Sequence, residues 1–273
     1  MNTLTQAQQF LEQAGRDIDR ARYAYHFGSL AQDELLAVLA RYQNPDGGFG
    51  HGLEPDIQAP DSNPFATEHA LQICLLAGVS ADHPLLQRCV VYLEQTQHPD
   101  GGWRLSPAIY QHPLAPWFQD WQWPNLNPAC TLAGLLHELG LGSAALQQRV
   151  ARLIEALTRV EDLTGDEFYA VRPYAALMLA DPDTHAFSAA GVLWWLIRQH
   201  VNNTLDGSHF FEYVRGPDSY TGRQLPAALL AARLAALAAE QATDGGWPTP
   251  YDSHWRGHVT VQNLLVLRAF KQI

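Results

Sequence analysis

The segment His51-Gly52-Leu53-Glu54-Pro55-Asp56-Ile57-Gln58-Ala59-Pro60-Asp61-Ser62-Asn63 places three carboxylates and an imidazole in one short stretch. Pro55 and Pro60 stiffen it, because proline fixes its own φ. A carboxylic acid held in apolar surroundings keeps its proton to higher pH and can deliver it to a substrate. The chemistry expected here is general-acid catalysis by Asp56 or Glu54, with His51 orienting the acid and Asp61 contacting substrate. The competing reading is structural: Asp61 caps a turn, and Glu54 and Asp56 bond loop backbone.

A second stretch, Tyr110 to Pro124, contains Trp117, Trp121 and Trp123, too closely spaced for ordinary helix core. Aromatic faces attract cations and cover apolar chains, so these three are expected to bind substrate or to form a packed lid. A third cluster is Tyr251-Asp252-Ser253-His254-Trp255-Arg256-Gly257-His258. Tyr251, His254, Trp255 and His258 are expected to line a polar network that meets substrate. His254 and His258 have helical i,i+4 spacing, but Gly257 and the preceding loop argue against a continuous helix, and no metal is assigned. His209, Glu212, Arg215 and Asp218 form a weaker group, and Arg215 or Arg256 could meet a diphosphate. Trp194-Trp195 reads as core.

These loops need a frame, and helical periodicity supplies it. Apolar residues recur at helical spacing over about 4–24, 31–43, 64–78, 82–97, 127–140, 143–160, 168–181, 185–203, 221–241 and 257–272. No stretch alternates as a strand does. Asn63-Pro64 and Asn127-Pro128 each put a capping side chain before a proline at the first helical position, and Asp82-His83-Pro84 has the same character. Gly78 and Gly140 suit helix ends. Segments 64–78 and 127–140 are apolar on most sides, whereas 82–97 and 143–160 carry a polar stripe. An enclosed helix is apolar all round and a peripheral one is amphipathic. The expectation is therefore an all-α, (α/α) toroid of five to six hairpins with inner and outer helices, forming one domain over residues 1–273.

The chain has 273 residues, 47% of them hydrophobic, with a formal net charge of −11. Lys271 is its only lysine. That balance argues against a nucleic-acid partner or an anionic membrane surface. The N-terminus reads without a signal peptide, and no apolar run reaches the ~20 residues that cross a bilayer. Cys74, Cys89 and Cys130 form no CxxC pair and sit in apolar patterns, which fits reduced thiols in a cytoplasmic protein. No P-loop, Rossmann glycine pattern or Gly-x-Ser-x-Gly elbow occurs, so no cofactor is assigned.

One pattern recurs along the chain. Gln43-Asn44-Pro45-Asp46-Gly47-Gly48-Phe49 returns as Gln97-His98-Pro99-Asp100-Gly101-Gly102-Trp103 and as Gln241-Ala242-Thr243-Asp244-Gly245-Gly246-Trp247. Recurrence of a turn with a fixed aromatic signals a repeat architecture. Glycine takes the positive φ that closes a helix end. The glutamine amide is expected to bond backbone at a neighbouring helix end, with the ring packed over it. Degenerate copies are expected at 164–168 and 206–210.

The Gln-x-x-x-Gly-x-aromatic turns resemble those of triterpene cyclases of the squalene–hopene type. Gly47-Gly48-Phe49-Gly50-His51-Gly52, continuing to Ala66-Thr67-Glu68-His69-Ala70-Leu71, also resembles the repeats of protein prenyltransferase β subunits. The resemblance is sharp at the three turns and covers residues 30–273 in organisation. It implies the toroid with a central cavity. The chain departs from both families, having neither the Asp-x-Asp-Asp acid motif of the cyclases nor the Asp-x-Cys zinc pair of the prenyltransferases. The resulting expectation is a reduced relative acting on a small hydrophobic substrate, an isoprenoid, in an aromatic-lined cavity. Two alternatives stand beside it: a carbohydrate-active glycosidase or lyase on the same architecture, and a noncatalytic binding protein.

Overall fold

The computed structural model describes residues 2–273. Helices α1 (Thr3–Ala14), α2 (Asp17–Phe27), α3 (Gln32–Leu39), α4 (Pro64–Leu76) and α5 (Pro84–Thr96) come first. They are followed by α6 (Pro116–Gln119), α7 (Leu126–Glu138), α8 (Ala144–Leu157), α9 (Val160–Thr164) and α10 (Phe168–Ala180). The last are α11 (Ala186–Asn202), α12 (Gly207–Glu212), α13 (Tyr220–Gln224), α14 (Ala227–Ala239) and α15 (Trp255–Ala269). Among the described residues strand pairing is confined to isolated bridges. No helix there is long and apolar enough to cross a membrane.

Two expected helices are broken, each for a local reason. The first parts at Gly15, whose φ −74, ψ 148 leaves the helix while its N–H still bonds Leu11 O. The expected 221–241 helix parts before Pro226. The ring of proline disfavours helical geometry in the residue ahead of it, and Leu225 is extended at φ −72, ψ 143. The cap readings hold at Asn63, whose Oδ1 accepts from Ala66 N at 2.8 Å, and at His83, whose Nδ1 accepts from Leu85 N at 3.2 Å. Asn127 differs: Asn125 caps α7 and Asn127 itself is non-helical, φ −98, ψ 124. Its side chain is used elsewhere.

The chain divides into two compact units, one Leu39–Ser188, the other the N-terminal residues to Val38 together with Ala189–Ile273. In the first, α7 packs against α4, α8 and α10. Helices α4 and α7 are buried on nearly every side, whereas α5 buries only Leu85, Leu86, Cys89, Tyr92 and Leu93 and α8 only Leu146, Val150 and Leu153. A Cβ at Gly134 would stand 3.0 Å from Ala176 O, so the bare glycine lets α7 approach α10 closely. Cys74, Cys89 and Cys130 are buried free thiols, and burial alone pushes that of Cys74 up to about 12. In the second unit α15 packs on α1, α2, α12 and α14.

The repeated turns share one geometry. Gln43 Nε2 donates to Gly47 O and to Leu85 O, both at 2.9 Å. Gln97 donates to Gly101 O at 3.0 Å and Leu146 O at 3.2 Å. Gln241 donates to Gly245 O at 2.9 Å and Thr3 O at 3.0 Å. Each amide thus closes its own turn with one hydrogen and holds the first turn of another helix with the other. The middle glycines have φ +93, +96 and +93. Asp46, Asp100 and Asp244 accept from the N–H two residues on, at 2.9, 3.0 and 3.1 Å. Trp103 and Trp247 are buried, and each indole N–H donates to a carbonyl of the preceding helix, Leu93 O at 2.9 Å and Leu237 O at 2.7 Å. The two expected degenerate copies do not have this form. Gly165 has φ −76, and Asp206 caps the short helix α12. Neither stretch has the glutamine or the glycine pair that the turn requires.

Candidate active site in the loops before α4 and α7

The first two candidate loops meet. Gln58 N donates to Pro113 O at 3.1 Å and Ala115 N donates to Asp56 O at 2.9 Å, with Ile57 and Leu114 bridged antiparallel between them. His112 Nε2 and Asp61 Oδ2 are 4.0 Å apart at the surface. Beneath this join Ile57, Ala59, Phe65, Leu105, Ile109 and Phe118 form an apolar cluster, against which Trp121 and Trp123 pack. The Trp121 ring lies 5.4 Å from Phe65, 5.3 Å from Phe118 and 6.1 Å from Trp123. Trp117 is instead nearly half exposed. Of the expected aromatic trio, two are packed together over the start of α4 and one faces water.

The carboxylates separate by environment. Glu54 is buried at 9% exposure, and its Oε2 lies 3.9 Å from His69 Nδ1 on α4. Its Oε1 accepts from Asp56 N at 3.4 Å. Asp56 is half-buried and its carbonyl holds the second loop. His51 does not reach either carboxylate. It is exposed, has φ +56, and its Nε2 lies 2.9 Å from Asn44 Oδ1. The imidazole beside Glu54 is thus that of His69, and His51 fastens the loop to the first turn.

Next to His69 on α4, the buried Glu68 accepts from Arg172 Nη2 of α10 at 2.7 Å. Arg172 Nη1 donates to Asn127 Oδ1 at 3.2 Å. The helix starts of α4 and α7 and the first half of α10 thus bring Glu68, Asn127 and Arg172 into one hydrogen-bonded set inside apolar packing, while the Glu54–His69 contact starts from the neighbouring residue of α4. Ionic groups are retained in such surroundings only when paired. Sequence reasoning passed over Glu68, His69 and Arg172. The available signal was a Glu-His pair inside a helix otherwise apolar on most sides. Among the described residues no cluster of three or more His, Cys, Asp or Glu side chains could hold a metal ion.

The third candidate cluster lies in the other unit. Tyr251 OH and His209 Nε2 are 2.8 Å apart, and Tyr251 lies 6.4 Å from Trp255 ring to ring. Trp255 in turn sits edge-on to His258 at 5.4 Å. His254 is exposed beside Asp252 at 2.5 Å. Arg256 is held by both Asp244 oxygens at 2.9 Å and lies over the Phe10 ring. The Arg256 hydrogen bond is the first of the effects that hold the Asp244 carboxyl below its ordinary range.

The fold is of the all-α, (α/α)-toroid class, which a solved terpene cyclase shares. The type II terpene cyclase MstE from Scytonema superposes with TM-score 0.53 and 14% identity over 96% of this chain and 87% of that one. In sequence, the chain is 42% identical over 78 residues to a drimenyl diphosphate synthase of Streptomyces showdoensis. It is 35% identical over 109 residues to another of Streptantibioticus cattleyicolor. Those matches cover 28% and 39% of this chain, and only 14% and 18% of the two relatives' lengths. No family profile matches the chain.

Proposed function

We propose that the protein is a terpenoid cyclase-like enzyme acting on an isoprenoid, with Glu54 as the general acid. The observation that carries this reading is the 42% identity over 78 residues to a drimenyl diphosphate synthase. The likeness of fold to a type II terpene cyclase agrees with it. The recurrent glutamine–aromatic corners then are the repeats of that family. Glu54 is preferred to Asp56 because it is the more buried and has an imidazole within 3.9 Å.

In the step proposed, the Glu54 carboxyl O–H breaks and a C–H bond forms at one alkene carbon. The alkene π pair makes that bond and leaves a carbocation, which a second alkene of the same substrate attacks. A C–H bond beside the resulting cation then breaks, its electron pair forming an alkene, and His69 takes that proton and returns it to Glu54. Trp121, Trp123 and Phe118 supply aromatic faces suited to developing positive charge, while Trp117, Asp61 and the polar network around Arg172 bind the rest of the substrate.

The test is incubation with farnesyl and geranylgeranyl diphosphates, dephosphorylation, and product analysis by gas chromatography with mass detection. A cyclic product that Glu54→Gln abolishes, at unchanged thermal stability, is expected. Turnover that survives Glu54→Gln but not Asp56→Asn moves the acid to Asp56. Absence of both binding and turnover across linear isoprenoids rejects the reading.

A further inference from the structure

A second group of side chains, within the unit of α12 and α15, is linked end to end. Asp206 does two things. Its Oδ1 accepts from His209 N at 2.9 Å, which fixes the backbone of that histidine. Its Oδ2 lies 2.5 Å from His209 Nδ1, which fixes the ring. Burial pushes the Asp206 carboxyl upward, but the hydrogen bond and charge of His209 outweigh it and hold the group below its usual range. Asp206 is thus a carboxylate, and Nδ1 donates to it. In the neutral form of the ring, Nε2 is then the acceptor and faces Tyr251 OH at 2.8 Å. The Tyr251 hydroxyl donates its one hydrogen to that nitrogen.

We propose that Asp206, His209 and Tyr251 form a proton relay whose working atom is the Tyr251 phenolic oxygen. The geometry has the order of an acid–histidine–nucleophile triad, recognised by roles and distances rather than by sequence position. Because the phenol spends its hydrogen on His209, it offers a ligand only lone pairs. The ligand it suits is a small molecule presenting an acidic proton. On transfer, the ligand's bond to hydrogen breaks and its electron pair stays with the ligand. A new O–H forms at Tyr251, the former phenol proton moves to Nε2, and Asp206 stabilises the imidazolium. His209 and Asp206 are positioning and proton-storing residues. Trp255, 6.4 Å from the Tyr251 ring, walls one side. This proposal is independent of Glu54 and of the isoprenoid reading.

An aryl sulfonyl fluoride tests it directly on the full chain. Attack by the phenol oxygen forms an O–S bond, fluoride leaves, and the proton goes to His209. Labelled tyrosines are mapped by peptide mass spectrometry. Tyr251 is expected to label at least tenfold faster than the half-buried Tyr42, and Tyr251→Phe removes that label. His209→Gln and Asp206→Asn are each expected to slow it about tenfold at unchanged circular dichroism. Asparagine caps as well as aspartate, so Asp206→Asn tests the relay even where His209→Gln fails to fold. Labelling of Tyr251 no faster than Tyr42, or labelling indifferent to Asp206→Asn, reduces the three residues to a staple between α12 and the loop before α15.

Discussion

Arg22 Nη1 lies 3.0 Å from His258 Nδ1. A guanidinium only donates, so Nδ1 of His258 must accept and cannot also bind a cation. Arg22 is buried; burial lowers it to about 10, against the opposing pull of Asp19. Its Nη2 has no hydrogen-bond partner among the described residues. His258→Phe would strand the second terminal nitrogen as well and is expected to destabilise by about 2 kcal/mol. Adding Arg22→Met removes the stranded charge, and Asp19 retains Arg16 at 2.9 Å. The double variant is expected to recover most of that loss in urea unfolding, a coupling that two independent sites would not show.

The three glutamine turns predict a graded series. Gln97→Ala removes hydrogen bonds to Gly101 O and Leu146 O and the acceptor of Arg149 Nε and is expected to lower stability by about 1–3 kcal/mol. Trp247→Phe keeps the ring but loses the bond to Leu237 O, for about 1 kcal/mol plus the lost volume. Both are read as shifts in denaturant midpoint.

Two positive-φ glycines differ in what a side chain would meet, and in how far they lie from the left-handed region open to other residues. Gly101 has φ +96, and a Cβ there would stand 2.2 Å from the backbone oxygen of Arg149. Gly78 has φ +66 with nothing within 4 Å of its Cβ position. Gly78→Ala is expected to lose about 1–2 kcal/mol, the ordinary left-handed penalty. Gly101→Ala adds a backbone collision and is expected to exceed about 3 kcal/mol. Paired thermal melts decide it, and equal losses would refute the close approach.

His26 sets a pH dependence. Burial first, then Arg22 and Arg268, lower it from 6.5 to about 4. The unfolded chain therefore binds a proton in the window from about 6.5 down to about 4 while the folded chain does not. Stability is complete above 6.5 and falls as pH drops through that window. Because the ring is only partly buried, the loss is expected to be about 1–2 kcal/mol. His26→Gln should flatten that limb of the stability profile.

Arg172 links Glu68 to Asn127. Arg172→Leu leaves the buried Glu68 carboxylate without this cation and is expected to lose about 2–4 kcal/mol near neutral pH. Arg172→Leu combined with Glu68→Gln should regain part of it, as measured by urea unfolding.

What the sequence made legible was local. The turns at Gln43, Gln97 and Gln241 are visible because glycine, aspartate, glutamine and aromatic act within seven positions of one another. Asn63-Pro64 and His83-Pro84 mark helix starts by the same kind of short-range chemistry. The break at Gly15 was missed because apolar spacing runs on through it. The site was harder, because its partners are distant in the chain: Glu68 meets Arg172, and Asp206 reaches Tyr251 through His209. His51 looked like the orienting imidazole through mere adjacency to Glu54, yet its positive φ turns it toward Asn44. Trp194 resembles Trp195 in sequence, but is 48% exposed where its neighbour is 0%.

The amide nitrogens of Gln43, Gln97 and Gln241 donate to carbonyl oxygens, which every residue type possesses. Substitution of the side chains at Leu85, Leu146 and Thr3 leaves those backbone acceptors in place. A chain built this way can keep a recognisable shape while sharing 14% of its residues with a distant counterpart, and the loops between the clasps are left at liberty to acquire new chemistry.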